Sequence, residues 1–494
     1  MPRSDSRLAP RPRSRALSSK VERELKLTVD SDFRLPRLTG LPLPRRLLTS
    51  TYYDTVSYDL AHARITLRHR VERGKAAWQL KIPLGKDRQE LEVIDSSPLT
   101  PPSFRDLLLL HLQHRRLVPV ATLRVWRTGL RVKRRRTPVA EIALDHVSVV
   151  KNGVVIQRFR ELEIEQLGTG APVMQDLERQ LRRAGAGDHD GRPKLFRALS
   201  LPAPTEDAPP APDAPVASHV KWALVQHVRW LLAHDPGTRL GAESESLHQM
   251  RVATRRLRAV LRAAEPVLVP EWASALHSEL TWLSELLGQA RDLDVQVAYF
   301  RQEAGGLEAR DRKPLAKFVT HLRHQRECAQ GVILSELKSA RYLELVRRLQ
   351  LAAHEPSVVE SPVTLGALAK REFNRLRKAI RRLGPSPTHA GLHKVRIKTK
   401  RARYAAELAV WSVGKQAARF IKRAQVVQDL LGTYQDALQA ESSIRAFLKQ
   451  SGSVRAGFVA GRMVERQRHR RSDVLTDLTP HLKALLKRGK RAWS

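Results

Sequence analysis

Several short segments near the amino terminus alternate charged and apolar side chains with a period of two. Glu22, Glu24 and Lys26 fall on one face of a strand, against Val21, Leu25 and Leu27 with Arg23 on the other. Arg68 and Arg70 oppose Ile65, Leu67 and His69, and Gln79 and Lys81 oppose Trp78, Leu80 and Ile82. Glu90 and Glu92 oppose Leu91 and Val93; Glu141 and Asp145 oppose Ala140, Ile142 and Leu144; Glu161, Glu163 and Glu165 oppose Leu162 and Ile164. One such strand is usually half-buried with a wet outer face. Together they place carboxylates on some strands and Arg or Lys on others, with like charges that repel when exposed side by side. A closed sheet turning these faces inward would enclose a hydrated lumen. That lumen suits a ligand of several negative charges plus a divalent cation. Arg and Lys would hold phosphoryl oxygens, and glutamates would hold Mg2+ or Mn2+ through hard oxygen ligands.

A second constellation is basic and duplicated. Leu247–Arg258 (LHQMRVATRRLR) aligns with Leu392–Arg403 (LHKVRIKTKRAR), matching His248 to His393, Arg251 to Arg396, Arg255 to Lys400, Arg256 to Arg401 and Arg258 to Arg403. Downstream, Leu287-Gly288 with Arg291-Asp292 is echoed by Leu431-Gly432 with Gln435-Asp436, so a whole multi-helix unit repeats. At helical pitch His248, Arg251, Arg255, Arg258 and Arg262 form one stripe opposite Met250, Ala253, Leu257 and Leu261. His393, Arg396, Lys400 and Arg403 do the same opposite Ala402 and Ala406. Like-charge neighbours cost about 0.2–0.5 kcal/mol each in an isolated helix, and no glutamates intersperse to relieve them. A single basic face would be as consistent with plain solvation; its duplication behind a leading histidine points to anion binding. The histidines lack a second ligand at metal spacing and are assigned as hydrogen-bond donors beside the arginines.

The rest of the chain positions these groups. It has 494 residues, 89 Lys+Arg against 50 Asp+Glu, a net charge of +39 and hydrophobic content of 42%, enough for more than one folded domain. A single cysteine, Cys328, excludes a disulfide framework or a cysteine zinc site and suits a reducing compartment. No apolar run approaches the ~20 residues of a membrane span, so a cytoplasmic protein is expected, with no membrane partner. Residues 1–18 read as a disordered basic tail rather than a secretory signal, and 201–215 as a Pro/Ala-rich linker. Period two dominates before that linker and period 3.6 after it, dividing the chain into 19–200 and 216–490, the latter repeating over about 216–350 and 360–490. The run Lys133–Arg136 is assigned to solvated charge.

The first domain resembles the CYTH family of triphosphate tunnel metalloenzymes. The resemblance rests on Glu22-x-Glu24-x-Lys26, Tyr52–Thr55, Leu67–Arg70, Trp78–Lys81, Arg88–Glu90, Leu123–Thr128, Glu141–Asp145, Glu161–Glu165 and Pro193–Arg197 in order. It implies a multidomain α+β protein opening with an eight-stranded antiparallel β tunnel with flanking helices. It further implies that Glu22, Glu24 and two late glutamates hold metal. Glu163 and Glu165 are favoured, Glu161 shares their face, and Glu90 joins them. Lys26, Arg68, Arg70, Lys81, Arg127 and Lys194 would cradle phosphates together with Arg124, and Asp145 would orient an arginine. The family includes triphosphatases, adenylate cyclases and thiamine triphosphatases. Inorganic triphosphate is the smallest ligand that satisfies the set, and Mg2+ or Mn2+ the expected cofactor.

The second domain resembles the CHAD family through His-x-x-Arg-x-x-x-(Arg/Lys)-Arg-x-Arg, present twice. This implies an all-α domain of two duplicated helical bundles with facing basic helices that bind inorganic polyphosphate through His248, Arg251, Arg255, Arg258, His393, Arg396, Lys400 and Arg403. Association with polyphosphate granules would follow. Two further readings stay open: a polyphosphate-docking protein whose tunnel only senses triphosphate, and a nucleic-acid binder suggested by charge alone. Against the latter, the stripes lack interleaved aromatics for base stacking.

Overall fold

The computed structural model describes residues 17–84, 87–113, 115–134, 137–167, 171–202, 208–241, 244–449 and 453–493. Most of the basic tail, part of the linker, and Arg135 and Arg136 of the basic run lie outside the described residues. The chain separates into two compact units, Met1–Glu206 and Asp207–Ser494.

The first unit is built on one antiparallel sheet. Its strands are β1 (Ser18–Glu22), β2 (Glu24–Thr28), β3 (Gly40–Asp54), β4 (Thr66–Glu72), β5 (Lys75–Leu84), β6 (Asp87–Ile94), β7 (Val118–Arg134), β8 (Thr137–Lys151), β9 (Val154–Gln166) and β10 (Gly187–Asp188). They run in the order β1-β6-β5-β4-β3-β7-β8-β9-β2-β10. β1 and β2 are two halves of one segment parted at Arg23. The first half pairs with β6 and the second with β9, so a single stretch of backbone joins both ends of the sheet and closes it. Ten strands stand where the sequence implied eight. The excess is this break, which counts one strand twice, and the two-residue β10 added beside β2.

Short helices α1 (Asp59–His62), α2 (Pro102–Leu107) and α3 (Leu109–Leu112) follow β3 and β6, and α4 (Ala171–Arg183) and α5 (Lys194–Ala198) follow β9. Leu177 and Leu181 of α4 cover the outer apolar faces of β2, β8 and β9, against Leu27, Ile142, Leu162 and Ile164. The inner faces divide into two zones. Leu48, Tyr52, Leu123, Val125, Val147 and Val149 pack with Leu195 of α5 as an apolar plug. Charged residues line what remains of the interior.

Among the described residues the second unit holds nine α-helices: α6 (Val216–Leu240), α7 (Ser244–Ala263), α8 (Pro270–Gly305), α9 (Ala309–Glu336), α10 (Ala340–His354), α11 (Leu365–Arg381), α12 (His389–Val413), α13 (Lys415–Leu448) and α14 (Val454–Trp493). The repeat is visible in the order of elements. α6–α9 and α11–α14 each run as a leading helix, a stripe-bearing helix (α7, α12) and two longer ones. The Thr388 hydroxyl accepts from the Gly391 backbone N–H and starts α12. Leu247, Met250, Ala253, Leu257 and Leu261 bury one side of α7, while Leu392, Val395, Ala402 and Ala406 bury one side of α12, which turns both basic stripes away from those cores. No helix among the described residues is long and apolar enough to cross a membrane.

Candidate functional site

The inner faces of the closed sheet enclose a cavity of about 500 Å3. Eight lysine and arginine side chains and eight carboxylates line it, so its walls balance in charge when all are ionised. The period of two carries through the break at Arg23: Ser18, Lys20, Glu22, Glu24 and Lys26 all reach the lumen. Register then sets neighbours. Tyr52, Arg68, Gln79 and Glu92 lie opposite one another on successive strands, and Lys26 lies opposite Glu163.

Two networks result. In one, the Lys81 ammonium donates to Glu22 at 2.5 Å, Arg68 donates to Gln79 at 2.8 Å and to the Tyr52 hydroxyl at 3.1 Å, and Glu90 pairs with Lys20 at 3.2 Å. In the other, Glu163 receives Lys26 and Lys194 at 2.8 Å and Arg127 at 2.6 Å. Asp145 grips Arg127 through two parallel hydrogen bonds of 2.7 and 2.6 Å and also accepts from Lys194. Such a fork fixes the plane of the guanidinium.

Burial would raise the Glu163 carboxyl, but Lys194, Lys26 and Arg127 pull it well below the usual range. Glu161, likewise buried, is drawn down to about 2 by Lys194 and Lys26. Glu22 behaves differently: its burial outweighs Lys81, with Glu24 and Glu90 adding repulsion, and its affinity for protons rises. Arg70 is lowered by burial and by the neighbouring cations Arg68, Arg127 and Arg46, which outweigh Glu72. A cation so placed favours an incoming anion.

The structure brings Glu22, Glu24, Lys26, Arg68, Arg70, Lys81, Glu90, Arg127, Asp145, Glu163, Glu165 and Lys194 to this cavity. It does not bring Arg124. That residue stands three positions from Arg127, an odd spacing that puts it on the opposite, exposed face of β7. Glu161 shares a face with Glu163 but is fully buried, reaching Lys26, Lys194 and Arg197 rather than the lumen. Sequence reasoning passed over Lys20, Tyr52, Arg88, Glu92 and Glu141 as site residues, all of which line the cavity. Parity was the available signal: Lys20 continues the series 22, 24, 26, and Arg88 and Glu92 flank Glu90.

Among the described residues, no three His, Cys, Asp or Glu side chains converge as a ready metal cluster; Glu22, Glu24, Glu90, Glu141, Asp145, Glu163 and Glu165 each pair with a lysine or arginine, and Glu92 accepts from the Gln79 amide. The donor set nevertheless fits a hard divalent ion. Glu24 lies directly opposite Glu165, and Glu165 opposite Glu141, on three successive strands. Lys26, Lys20 and Arg131 pair with Glu24, Glu165 and Glu141 at 3.4, 3.2 and 3.1 Å, yet three like charges in one cross-strand row still favour a further cation, and carboxylate oxygens are the ligands such ions prefer.

In the helical unit the two stripes face each other. The Arg255 Nε donates to the Tyr404 hydroxyl of α12 at 2.7 Å. Burial, then Arg396, Arg255, Arg251 and Arg403, lowers Lys400 to about 7. Arg251 pairs with Asp292 at 3.3 Å. This gives the aspartate of the downstream Leu-Gly-x-x-x-Asp echo a structural reason, and Asp436 stands in the same relation to Arg396 in the second copy. Arg403 is set apart from its stripe, 7% exposed, against Glu407 and the Tyr404 ring. His248 is half-buried and His393 exposed.

With this geometry in view, comparison with known proteins gives the class: the chain carries a CYTH domain, matched over residues 20–186, followed by a CHAD domain, matched over residues 223–445. The closed sheet is the CYTH unit and the helical repeat the CHAD unit. An uncharacterised Mycobacterium tuberculosis protein, Rv2226, is 29% identical over 428 residues, covering 80% of this chain and 81% of the relative. Among solved structures, the CHAD domain from the plant Ricinus communis is 23% identical over 56% of this chain and 95% of that chain, with a TM-score of 0.47. PptA from Streptomyces chartreusis is 18% identical over 55% of this chain and 100% of that one, with a TM-score of 0.46. HpAC1 from Hippeastrum, described as having a dominant triphosphatase activity, is 18% identical over 36% of this chain and 95% of that one, with a TM-score of 0.23.

Proposed function

We propose that the amino-terminal unit hydrolyses inorganic triphosphate with a divalent cation, Mg2+ or Mn2+, and that the helical unit holds inorganic polyphosphate on its paired stripes. The observation that carries the first half is the closed lumen with eight cations and eight carboxylates. Such walls match a multiply charged phosphate chain and its counter-cation together. Tyr52 is the one aromatic residue lining the cavity among those described, and its hydroxyl is engaged with Arg68. This favours a bare triphosphate over one carrying a base or a thiazolium ring.

Glu22, Glu24 and Glu165, with Glu141 beside them, would hold the cation, which supplies charge neutralisation on the phosphate oxygens. Glu163 and Glu161 belong to the positioning of Lys26, Lys194 and Arg127. Arg68, Arg70, Lys81, Arg127 and Lys194 stabilise charge as water attacks the terminal phosphorus, the bridging P–O bond breaks and diphosphate leaves. Asp145 keeps the Arg127 fork oriented throughout.

The deciding experiment measures phosphate release from triphosphate, thiamine triphosphate, ATP and long polyphosphate with Mg2+ or Mn2+, comparing wild type with Glu22→Ala and Glu24→Ala. Equal rates in all three proteins would remove the hydrolytic reading; retained triphosphate binding without turnover would make the tunnel a sensor. For the stripes, His248→Ala combined with Arg251→Ala should weaken retention on immobilised polyphosphate at moderate salt, where electrostatic binding is already loosened. Unchanged retention would place the polyanion elsewhere.

A further inference from the structure

Helices α6, α7 and α12 enclose another cavity, of about 440 Å3, that neither the triphosphate nor the polyphosphate reading uses. Its wall is aromatic, formed by Trp222, Trp230, Trp411 and Tyr404. Trp230 and Trp411 are 40% and 43% exposed, unusual for the largest apolar side chains. The Trp222 and Trp411 rings meet edge to face, with centroids 5.8 Å apart at 84°, which leaves the faces of one ring uncovered by the other.

Several polar groups of the lining are engaged: the Trp230 indole N–H donates to Gln249, the Tyr404 hydroxyl accepts from Arg255, and the Glu407 carboxylate pairs with Arg403 at 3.5 Å, but two are not. His219 is 1% exposed, and neither ring nitrogen has a hydrogen-bond partner. The Arg256 Nε is likewise buried without a partner. Buried polar atoms are rarely left unpaired, and each such case calls for a reason. An imidazole offers one donor and one acceptor when neutral, and a guanidinium offers only donors and a charge. The missing partner therefore combines a flat ring for the tryptophans, an edge with both donors and acceptors for His219, and an anionic group for Arg256. We infer that this cavity binds a nucleotide, its base stacked on the tryptophans with an edge on His219 and its phosphate on Arg256. Tyr404 links the cavity to the stripes: its ring lines the cavity, its hydroxyl accepts from Arg255, and the Arg403 guanidinium lies over it at 4.7 Å. Further phosphates of the same ligand would extend toward those cations. Burial, with Arg256 adding to it, lowers the neighbouring His227 to about 4, so that ring stays neutral and adds hydrogen-bonding edge rather than charge.

The test is calorimetric titration of the full-length protein with AMP and with UMP, without metal. Neither ligand has a phosphoanhydride bond, so the result is independent of triphosphate hydrolysis and of polyphosphate retention, and its failure would leave those readings standing. Trp411→Ala and His219→Gln should each weaken binding roughly tenfold or more, the scale of one lost stacking platform, and Arg256→Gln should weaken AMP more than adenosine. Triphosphate turnover should match wild type in all three variants. Circular dichroism checks folding. Trp411 is partly exposed, so its variant decides if the buried His219→Gln change disturbs the bundle. No saturable binding at millimolar AMP and UMP, binding unaltered in all three variants, or an equal loss on Arg68→Ala in the tunnel would each overturn the inference.

Discussion

Replacing Glu163 by Gln removes the carboxylate on which Lys26, Lys194 and Arg127 converge. Breaking a buried ion pair by deleting one partner typically destabilises by about 3–5 kcal/mol, because the surviving charge stays desolvated. Here each cation keeps another acid: Lys26 retains Glu161 and Glu24, Lys194 retains Asp145, and Arg127 retains its Asp145 fork. The loss should therefore fall at the low end, about 3 kcal/mol. Hydrogen exchange in peptides from β2 and β9 of the full-length protein, followed across a urea series, reads it locally. The pH dependence has a definite sign. Glu163 is depressed in the fold, so its contribution is fully present above the unfolded carboxylate value of about 4.3 and fades as pH falls through the lower folded value. The gap between wild type and Glu163→Gln should be full at pH 7 and narrow below about pH 4. A variant within about 0.5 kcal/mol of wild type at pH 7, the range of an ordinary surface change, or a gap that persists undiminished to the lowest pH at which the fold survives, would refute the reasoning.

Arg124→Ala should leave triphosphate turnover unchanged while Arg127→Ala abolishes most of it, since the two stand on opposite faces of β7; a comparable loss in both would put Arg124 in the site. Lys400 is lowered to about 7, so between that value and the unfolded ~10.4 only the unfolded chain keeps the proton. Stability of the helical unit should then rise with pH over that interval and flatten in Lys400→Met, as read by thermal midpoints in matched buffers; parallel curves would count against it. Gly489→Ala would bring a Cβ to 2.0 Å from the Phe373 ring, where α14 meets α11, and should destabilise that unit by about 1–3 kcal/mol, measured by thermal unfolding.

Much of the tunnel was legible because strand periodicity is local. Spacings of two placed Glu22, Glu24 and Lys26 on one face whatever the sheet later did. The duplicated stripe was equally legible, since helical pitch sorts His248, Arg251 and Arg255 onto one side without reference to a partner. What remained hidden depended on pairing across the chain. Nothing near Arg23 announces that its two flanks bind different strands and thereby close the sheet. Periodicity gives Glu161 the same face as Glu163, yet its distance along β9 removes it from the lumen. The sequence proposed metal ligands as a set, whereas register decided which acids stand in one cross-strand row, as Glu24, Glu165 and Glu141 do, and which, like Glu163, take several cations at once.

The aromatic cavity marks the limit of sequence reading. Trp222 and Trp411 belong to helices from different halves of the repeat, and His219 looks like any buried histidine until its neighbours are known. Local spacing follows from covalent geometry and is written in the chain. Which distant faces meet is settled by packing, where apolar burial and charge pairing are satisfied together, and it was that joint solution, not any motif, that placed three tryptophans around two unpartnered polar groups.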